Sequence, residues 1–347
     1  PPLLEYLDSL LIGAGSDLEI ETFKVIDQLS GRLMGVRADF TSQVSRIDAH
    51  CLKGEGVQRL SYCGSVLRTM PAGLDGTRSP IQLGAELYGH GGLESDIEVL
   101  SLMLETLFSA GLSNLVLDLS HVNIVRGVLT ACDLTDEQES KLLELYNAKD
   151  LPELDAFVKG LALAQEQAGW LMLLPRLCGG VEVLQKAVNG LGGISQSIDD
   201  ALALLNDVSA VIARRYPAIG LHFDLSDLVS YSYHTGLLFA AYVPGHGNAI
   251  ARGGRYNNIG EAFGRSRPAT GFSTDVKALV ALANIAVATP KTVLSPVCQS
   301  DDLWAKVNAL RAQGYRVIEA LDDGCVDAVD FTLVFVDDAW QLVSAEQ

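Results

Sequence analysis

The sequence predicts an α/β protein of the α+β type, in which an antiparallel sheet is flanked by helices and followed by a small C-terminal α/β appendage. Three observations support this fold class. Two strand patterns separated by a turn-rich loop occupy residues 62–87, helical patterns fill residues 134–216, and strand patterns resume from residue 219. We therefore predict the first part of a core (1–132), a helical insertion (133–216), the second part of the core (217–287) and a C-terminal α/β domain (288–347).

Composition and charge restrict the function classes. The 347 residues are 48% hydrophobic and 20% charged, which suffices for a sizeable core and for two or three domains. The 43 acidic and 25 basic residues give a formal charge of -18, and no Lys/Arg run follows a nucleic-acid backbone. No window reaches the ~18 uninterrupted apolar residues of a membrane span. We expect neither tRNA nor a membrane as a partner.

Cysteine spacing excludes two common site types. None of the six cysteines forms a C-x-x-C pair, so the sequence predicts neither a zinc site nor a disulfide framework. Reduced thiols fit a cytoplasmic protein best. The cysteines are Cys51, Cys63, Cys132, Cys178, Cys298 and Cys325.

The elements of the first segment are short. Residues 6–11 have a helical pattern, residues 23–27 and 31–37 form two strands joined by a turn, and residues 41–51 form a helix. Thr41 stands where its side chain could cap the first turn of that helix or could contact a ligand. The residues alone leave both roles open.

The next segment is a hairpin with one polar face. Residues 62–68 form a strand, residues 71–76 a loop, and residues 78–87 a second strand. In the second strand Gln82, Gly84 and Glu86 alternate with apolar residues, so the amide and the carboxylate share one face. Such a face is either solvated, which is common for one hairpin, or points at a ligand.

The remaining elements follow from capping and periodicity. Ser95 with Glu98, and Thr135 with Gln138, have the spacing of capping boxes that open helices. Strands are predicted for residues 115–120, 219–225 and 237–243. In the C-terminal domain we predict a strand at 293–296, a helix at 301–313, and strands at 315–320 and 331–336.

Five short motifs occur in a fixed order in residues 1–280. They are Arg37-Ala38-Asp39-Phe40-Thr41, then Leu67-Arg68, then residues 78–86, then Ala251-Arg252-Gly253-Gly254-Arg255-Tyr256, and finally Pro268-Ala269-Thr270-Gly271-Phe272. In this order they resemble a class II aminoacyl-tRNA synthetase core of the histidyl branch. The closer resemblance is to the catalytically silent paralogues of histidyl-tRNA synthetase, the regulatory subunits of ATP phosphoribosyltransferase.

The resemblance implies that two catalytic arginines are missing. Amino-acid activation needs cations against the triphosphate of ATP, and arginine suits this task because it grips phosphate with two donors. Val229 and Ala278 stand where the histidyl branch has these arginines. We therefore predict no catalytic residue, no cofactor and no aminoacylation.

The resemblance also implies that the amino-acid end of the pocket survives. Asp39 would hold an ammonium group with help from Gln82, and Glu86 would accept from an imidazole N–H. Arg68 and Arg78 are possible carboxylate partners, although a structural salt bridge suits each equally well. The full predicted histidine-binding set is Asp39, Thr41, Arg68, Gln82, Glu86, Tyr233, His234 and Tyr256.

The family implies a regulatory role. The expected partner is the short-form ATP phosphoribosyltransferase catalytic subunit, which the chain would activate in the first step of histidine biosynthesis, with histidine as the feedback effector. A homodimer within a hetero-oligomer is implied, as is a further helix before Pro1. We would seek the docking surface on the helical insertion and the dimer flanks. The alternative is a histidyl-tRNA synthetase-like protein that binds histidine or RNA in another regulatory role.

Overall fold

The computed structural model describes residues 1–12, 16–52, 54–71, 76–227, 234–283, 288–297, 299–321 and 329–345. The chain separates into two compact units, Pro1–Asn284 and Ile285–Gln347. Within the described ranges, no helix has the length and apolar character needed to cross a membrane.

A small antiparallel sheet begins the first unit. Its strands are ordered β1-β3-β2, and the close approach of helix α1 to β3 requires a glycine, since a Cβ on Gly35 would lie 2.8 Å from Leu10 Cδ2. The chain then turns into helix α3 and a π-helical turn. The elements in order are β1 Leu4–Tyr6, α1 Leu7–Leu10, α2 Ser16–Glu21, β2 Phe23–Ile26, β3 Leu33–Val36, α3 Thr41–Ile47 and the turn Asp48–Leu52.

An eight-stranded sheet forms the centre of the first unit. Its order is β4-β5-β11-β10-β9-β6-β8-β7, and all neighbours are antiparallel except β6 and β8. The predicted fold class, an antiparallel sheet flanked by helices, is confirmed. The strands are β4 Gln58–Ser65, β5 Ile81–Tyr88, β6 Val116–His121, β7 Cys178–Gly179, β8 Gly220–Asp224, β9 Leu237–Tyr242, β10 Ala251–Arg255 and β11 Ala269–Asp275.

Helices cover one face of this sheet with a large apolar core. Leu100 and Leu104 of α4 pack with Leu117 and Phe239 of the sheet, and all four side chains are buried. The α-helices are α4 Leu93–Ser109, α5 Val122–Cys132, α6 Asp136–Ala148, α7 Leu151–Gly160, α8 Gln165–Leu173, α9 Glu182–Leu191, α10 Gln196–Arg215 and α11 Val276–Leu282. The shorter 3-10 turns are Leu174–Arg176 and Ile259–Phe263.

A second, smaller core lies on the opposite face. Helix α3 contributes Val44, the segment before it contributes Phe40, and the sheet contributes Tyr62 and Tyr88. Strand β5 therefore supplies side chains to both cores, because its residues alternate between the two faces. The predicted polar face of this strand lies under α3.

The two predicted capping boxes have different outcomes. The box of Thr135 and Gln138 at the start of α6 is confirmed, with both reciprocal hydrogen bonds present. The box of Ser95 and Glu98 is wrong, because α4 begins at Leu93 after Gly92 and Ser95 lies inside its first turn. A long-range contact explains the difference: the Ser95 hydroxyl accepts from Arg255 Nη2 at 2.8 Å and can itself donate to the Gly92 carbonyl.

The second unit contains one four-stranded sheet and one described helix. Its strand order is β13-β12-β14-β15, with an apolar core between the sheet and α12 that includes Val293, Leu310 and Leu333. Asp337 and Asp338 both have positive φ and form a two-residue turn that joins β14 to a strand, β15, that the sequence pattern missed. The elements are β12 Thr292–Ser295, α12 Asp301–Ala312, β13 Arg316–Glu319, β14 Phe331–Val336 and β15 Ala339–Ser344.

Candidate functional site

The polar face of β5 is buried. Gln82 and Glu86 are each only 3% exposed, because α3 and the segment before it cover this part of the sheet. The sequence left two interpretations open, a solvated face and a face that points at a ligand. Solvation is therefore wrong for these two side chains. Burying an amide and a carboxylate is costly unless their hydrogen bonds are satisfied, so the arrangement of their partners is informative.

Asp39 and Gln82 form the first part of this arrangement. Gln82 Nε2 donates to Asp39 Oδ2 at 2.6 Å, and Gln82 Oε1 accepts from the backbone N–H of Phe40 at 3.1 Å. Asp39 Oδ1 also accepts from the backbone N–H of Thr41 at 2.7 Å. Asp39 thus bonds the first N–H of α3, and of the two roles left open for the Thr41 side chain, the helix cap is not formed.

Glu86 forms the second part and is surrounded by hydroxyl groups. Glu86 Oε1 accepts from Tyr62 OH at 3.0 Å and from Thr41 Oγ1 at 3.3 Å. The hydroxyl of Tyr256 donates to Glu86 Oε2. Tyr88 lies beyond Tyr256, with the two hydroxyl oxygens 3.4 Å apart. In the described part of the chain, Glu86 belongs to no ion pair with Lys or Arg.

Glycines on the sheet make room for these groups. A Cβ on Gly271 of β11 would lie 1.4 Å from Glu86 Oε2, and Gly271 is the residue paired with Glu86 across the two strands. Likewise, a Cβ on Gly84 would lie 2.4 Å from the hydroxyl oxygen of Tyr62. The site is therefore built with space for polar groups over the sheet, where any side chain would exclude them.

Burial controls the electrostatics of the site. Loss of water raises the pKa of Glu86 to about 8, the hydrogen bond from Tyr256 opposes this shift, and the nearby Asp39 charge adds to it. Burial also raises the pKa of Tyr62 and of Tyr88, and the proximity of Glu86 contributes in both. A carboxyl group with this pKa is mostly protonated at neutral pH.

Tyr62 and Tyr88 belong to the site although neither was predicted from the sequence. Phe40 stacks on Tyr62 with ring centroids 4.7 Å apart, and the Arg37 guanidinium lies 3.6 Å from the Phe40 ring centroid. These two contacts hold the Tyr62 ring in its orientation. The pattern contained a signal for both residues. Tyr88 continues the alternation from Glu86, and the hairpin register places Tyr62 opposite Gly84.

The other predicted site residues lie around this centre. Arg68 Nε donates to the Ala38 carbonyl at 3.3 Å and lies 3.7 Å from a carboxylate oxygen of Glu21. Arg78 donates to the Arg68 carbonyl and lies over the Phe23 ring.

His234 lies next to β10, since a Cβ on Gly254 would be 2.7 Å from His234 Cδ2, and Gly254 pairs with Gly271. Tyr233 and Val229 lie outside the described residues. Ala278, the second expected arginine position, lies in α11. The structure therefore connects Asp39, Thr41, Gln82, Glu86 and Tyr256 directly.

Arg255 of the same motif serves the opposite face. Its guanidinium pairs with Asp96 of α4 at 2.9 Å and donates to the His90 carbonyl at 3.2 Å, with both charged side chains buried. This contact ties β10 to α4, so we assign it to the fold. Among the described residues, no cluster of three or more His, Cys, Asp or Glu side chains could hold a metal ion.

Comparison with known families places this geometry in context. The family model for histidyl-tRNA synthetase matches residues 1–279, and that for the C-terminal domain of ATP phosphoribosyltransferase subunit HisZ matches residues 290–343. The ATP phosphoribosyltransferase regulatory subunit of Marinomonas sp. strain MWYL1 is 75% identical over 99% of this chain and 88% of its own length. That of Thioalkalivibrio sulfidiphilus is 50% identical over 92% of this chain and 82% of its own length.

The chain belongs to the ATP phosphoribosyltransferase regulatory subunit family. The resemblance inferred from five motifs is confirmed. As a regulatory subunit, the chain belongs to histidine biosynthesis and carries the fold of a class II aminoacyl-tRNA synthetase.

Solved structures agree with this assignment. A crystal structure described as an ATP phosphoribosyltransferase regulatory subunit/histidyl-tRNA synthetase from Bacillus halodurans has a TM-score of 0.82 and 28% identity, covering 94% of this chain and 84% of that one. Histidyl-tRNA synthetase from Nostoc sp. PCC 7120 has a TM-score of 0.72 at 17% identity, covering 96% and 82% of the two chains, which shows a shared fold. The regulatory subunit thus retains a synthetase fold around the Glu86 site.

Proposed function

We propose that the chain binds the short-form ATP phosphoribosyltransferase catalytic subunit, is required for its activity, and mediates feedback inhibition by histidine. The observation that carries the histidine part is the buried set of Asp39, Gln82 and Glu86 over the glycine-lined sheet face. Polar groups are buried in this way at a cost, which a ligand-binding role explains. Family membership supports the catalytic partner.

The proposed binding mode follows from the charge of each group. Asp39 is the anion of the site and would bind the ammonium group of histidine. The Gln82 amide holds the Asp39 carboxylate in position. Glu86 and Tyr256 would contact the imidazole ring, and Thr41 lies between the two ends. We assign Arg68 to the ligand carboxylate and Tyr233 and His234 to the walls of the pocket.

We further propose that the chain does not activate histidine with ATP. Val229 and Ala278 supply no cation where the synthetases of this branch place arginines. The loss of one such donor costs on the order of 3 kcal/mol of transition-state stabilisation, so the loss of two slows the reaction by a factor of about 10⁴. Binding of the amino acid is retained while the chemistry of the triphosphate is lost.

The proposed assembly is a homodimer within a hetero-oligomer. Strands β1–β3 and the β2–β3 turn expose apolar side chains, with Leu4 42%, Ile26 59% and Leu29 99% exposed. An exposed apolar sheet of this kind favours association. A solved complex described as ATP phosphoribosyl transferase (HisG:HisZ) from Thermotoga maritima contains a chain that matches 80% of this one, with a TM-score of 0.61 and 18% identity.

We place the docking surface for the catalytic subunit on exposed parts of the helical insertion and on the dimer flanks. Leu151, Val181 and Val188 are exposed apolar residues of the insertion, at 37%, 55% and 41%. The proposed location is the cytoplasm, which suits the free thiols of Cys51, Cys132 and the other described cysteines. We retain the proposed boundaries of the insertion at residues 133–216.

Regulation through this site must be reciprocal. If bound histidine favours a less active quaternary state, that state must bind histidine more tightly by the same factor. The coupling element we propose is α3, because its first N–H and Thr41 contact the two carboxyl groups of the site directly. A ligand that moves Asp39 or Glu86 therefore moves the start of this helix.

The proposal is tested by reconstitution. The purified chain is mixed with a short-form catalytic subunit, and formation of phosphoribosyl-ATP is followed with and without histidine. We expect the chain to raise the rate and histidine to lower it again. No gain in rate would refute the pairing, and a gain without a histidine effect would refute the sensor role. Histidine-dependent pyrophosphate exchange with ATP would instead indicate a working synthetase.

A further inference from the structure

A thiol, an imidazole and a carboxylate form a row at the β7 end of the central sheet. Cys178 Sγ of β7 lies 3.7 Å from His222 Nε2 of β8, and His222 Nδ1 lies 3.0 Å from Asp118 Oδ1 of β6. The strand register produces this row. Asp118 pairs with His222 across β6 and β8, and Cys178 pairs with Asp224, two residues further along β8. Residues two apart on a strand share a face, so these side chains lie on the same side of the sheet.

The order of the contacts assigns the protons. The Asp118 carboxylate can only accept, so His222 Nδ1 carries a hydrogen and donates to it. His222 Nε2 then has its lone pair towards Cys178, and the thiol donates its S–H to that nitrogen. The two partners use opposite nitrogens of the ring, so the three groups do not converge on one point. This agrees with the absence of a metal-binding cluster among the described residues.

The thiol is accessible and is protonated at rest. Cys178 is exposed, and the His222 side chain is 38% exposed. Partial burial raises the pKa of Cys178, the charges of Asp224 and Asp118 add to this, and Lys149, which pairs with Asp224 at 2.7 Å, opposes it. Only the thiolate is nucleophilic, so this thiol needs a base to react. A nucleophile within reach of an imidazole that a third group orients is the arrangement that supplies one.

We propose that Cys178 is a modification site that forms mixed disulfides with small disulfide compounds, with His222 as the base and Asp118 as a positioning residue. His222 Nε2 takes the S–H proton while the Cys178 sulfur attacks one sulfur of the compound. A new S–S bond forms, the S–S bond of the compound breaks, and the released thiolate takes the proton from His222. Cys178 is oxidised to a disulfide and the released sulfur is reduced to a thiol, so the compound is itself the oxidant.

The charges around the thiol select among such compounds. Asp118, Asp224 and Asp227 act on this cluster, against Lys149, and the whole chain has a formal charge of -18. A compound with ammonium groups is attracted to such a surface, and one with carboxylates is repelled. The expected class is therefore small aminoalkyl disulfides, for which cystamine is the probe.

Competition between two cysteines of one chain tests the proposal. The reduced chain is treated with cystamine near neutral pH, remaining thiols are blocked with N-ethylmaleimide at successive times, and peptide mass spectrometry gives the rate at each cysteine. The internal reference is Cys63, an exposed cysteine of β4. Trypsin places the two in separate peptides, Leu60–Arg68 and Leu177–Lys186. We expect Cys178 to react about 10-fold faster than Cys63 or more, because general-base catalysis contributes about 100-fold and the raised pKa offsets part of it.

Two outcomes of this competition would overturn the proposal or its charge selection. Modification of Cys178 at the rate of Cys63 or more slowly would overturn the proposal. Because the ratio of the two rates is measured with one compound, it can be compared between compounds. The ratio should be higher with cystamine than with dithiodiglycolate, and an equal or lower ratio would overturn the selection by charge.

Variants separate the action of the base from packing. His222→Ala should slow the reaction of Cys178 about 100-fold and leave that of Cys63 unchanged, and added imidazole should restore the rate at Cys178. Asp118→Asn should slow the wild type but have no further effect in His222→Ala, because Asp118 acts through the imidazole. An unchanged rate in His222→Ala, or no recovery with imidazole, would overturn the role of His222. The ratio measured in the wild type tests the proposal even if His222→Ala does not fold.

Discussion

The glycine at position 271 allows a sharp test of the site. In Gly271→Ala the new Cβ would lie 1.4 Å from Glu86 Oε2, whereas real Cβ atoms essentially never approach another heavy atom closer than 3.0 Å. The carboxylate must therefore move by more than an ångström and lose at least the hydrogen bond from Tyr256. Breaking one or two buried hydrogen bonds to a carboxyl group costs about 3 kcal/mol. For a unit of this size, residues 1–284, the melting temperature should fall by about 5 °C.

Thermal melts monitored by circular dichroism provide the assay. The matched control is Gly220→Ala in β8, where the added Cβ would meet Val116 Cγ2 at an ordinary 3.5 Å. We expect this control to change the free energy of unfolding by less than about 1 kcal/mol. Histidine at about 100 times its Kd should stabilise the wild type by about 2.7 kcal/mol and Gly271→Ala much less. A melting temperature for Gly271→Ala within 2 °C of the wild type would refute the close packing of Glu86 against β11.

Three further predictions concern single side chains. Because the pKa of Glu86 is raised to about 8, folding favours its protonated form, and the free energy of unfolding should fall by about 2 kcal/mol from pH 6.5 to 8. Urea melts should show no such fall for Glu86→Gln. The same fall in both proteins would contradict the raised pKa of Glu86. Burial lowers the pKa of His121 to about 4, so the contribution of His121 to the free energy of unfolding should fall by about 2 kcal/mol from pH 6.5 to 5, while that of Glu86 rises by a similar amount. His121→Asn should keep the cap on the Asn123 N–H and remove this fall. Urea melts at the two pH values compare the change in the free energy of unfolding between the wild type and the variant. Thr135→Ala removes the cap of α6 and should cost about 1 kcal/mol, against less than about 0.5 kcal/mol for the half-buried Thr106→Ala in α4; equal values would contradict the cap.

The sequence predicted what depends on local alternation. Gln82 and Glu86 share a face because strand residues alternate, and that assignment requires no knowledge of the rest of the chain. The burial of this face was not predictable in the same way. It arises because α3, some 40 residues earlier in the chain, folds over β5, as the hydrogen bond between Thr41 and Glu86 shows.

Two local expectations fail because a distant residue engages the hydroxyl group. Ser95 has the spacing of a cap, but its hydroxyl is engaged by Arg255, 160 positions later. Thr41 has the composition of a cap, but Asp39 bonds the first N–H of the helix while the Thr41 hydroxyl donates to Glu86. Strand β15 was missed because its turn consists of Asp337 and Asp338 with positive φ, which carries no glycine signal.

The most direct test of the central claim is titration of the chain alone with histidine, comparing the wild type with Asp39→Asn. Asp39 is the anion proposed to bind the ligand ammonium group, and loss of a charge-assisted hydrogen bond costs about 1.5–3 kcal/mol. We predict one histidine per chain for the wild type and affinity about 10- to 100-fold weaker for Asp39→Asn. Equal affinity for both proteins, or no binding by the wild type, would contradict the claim that this buried sheet face is the effector site.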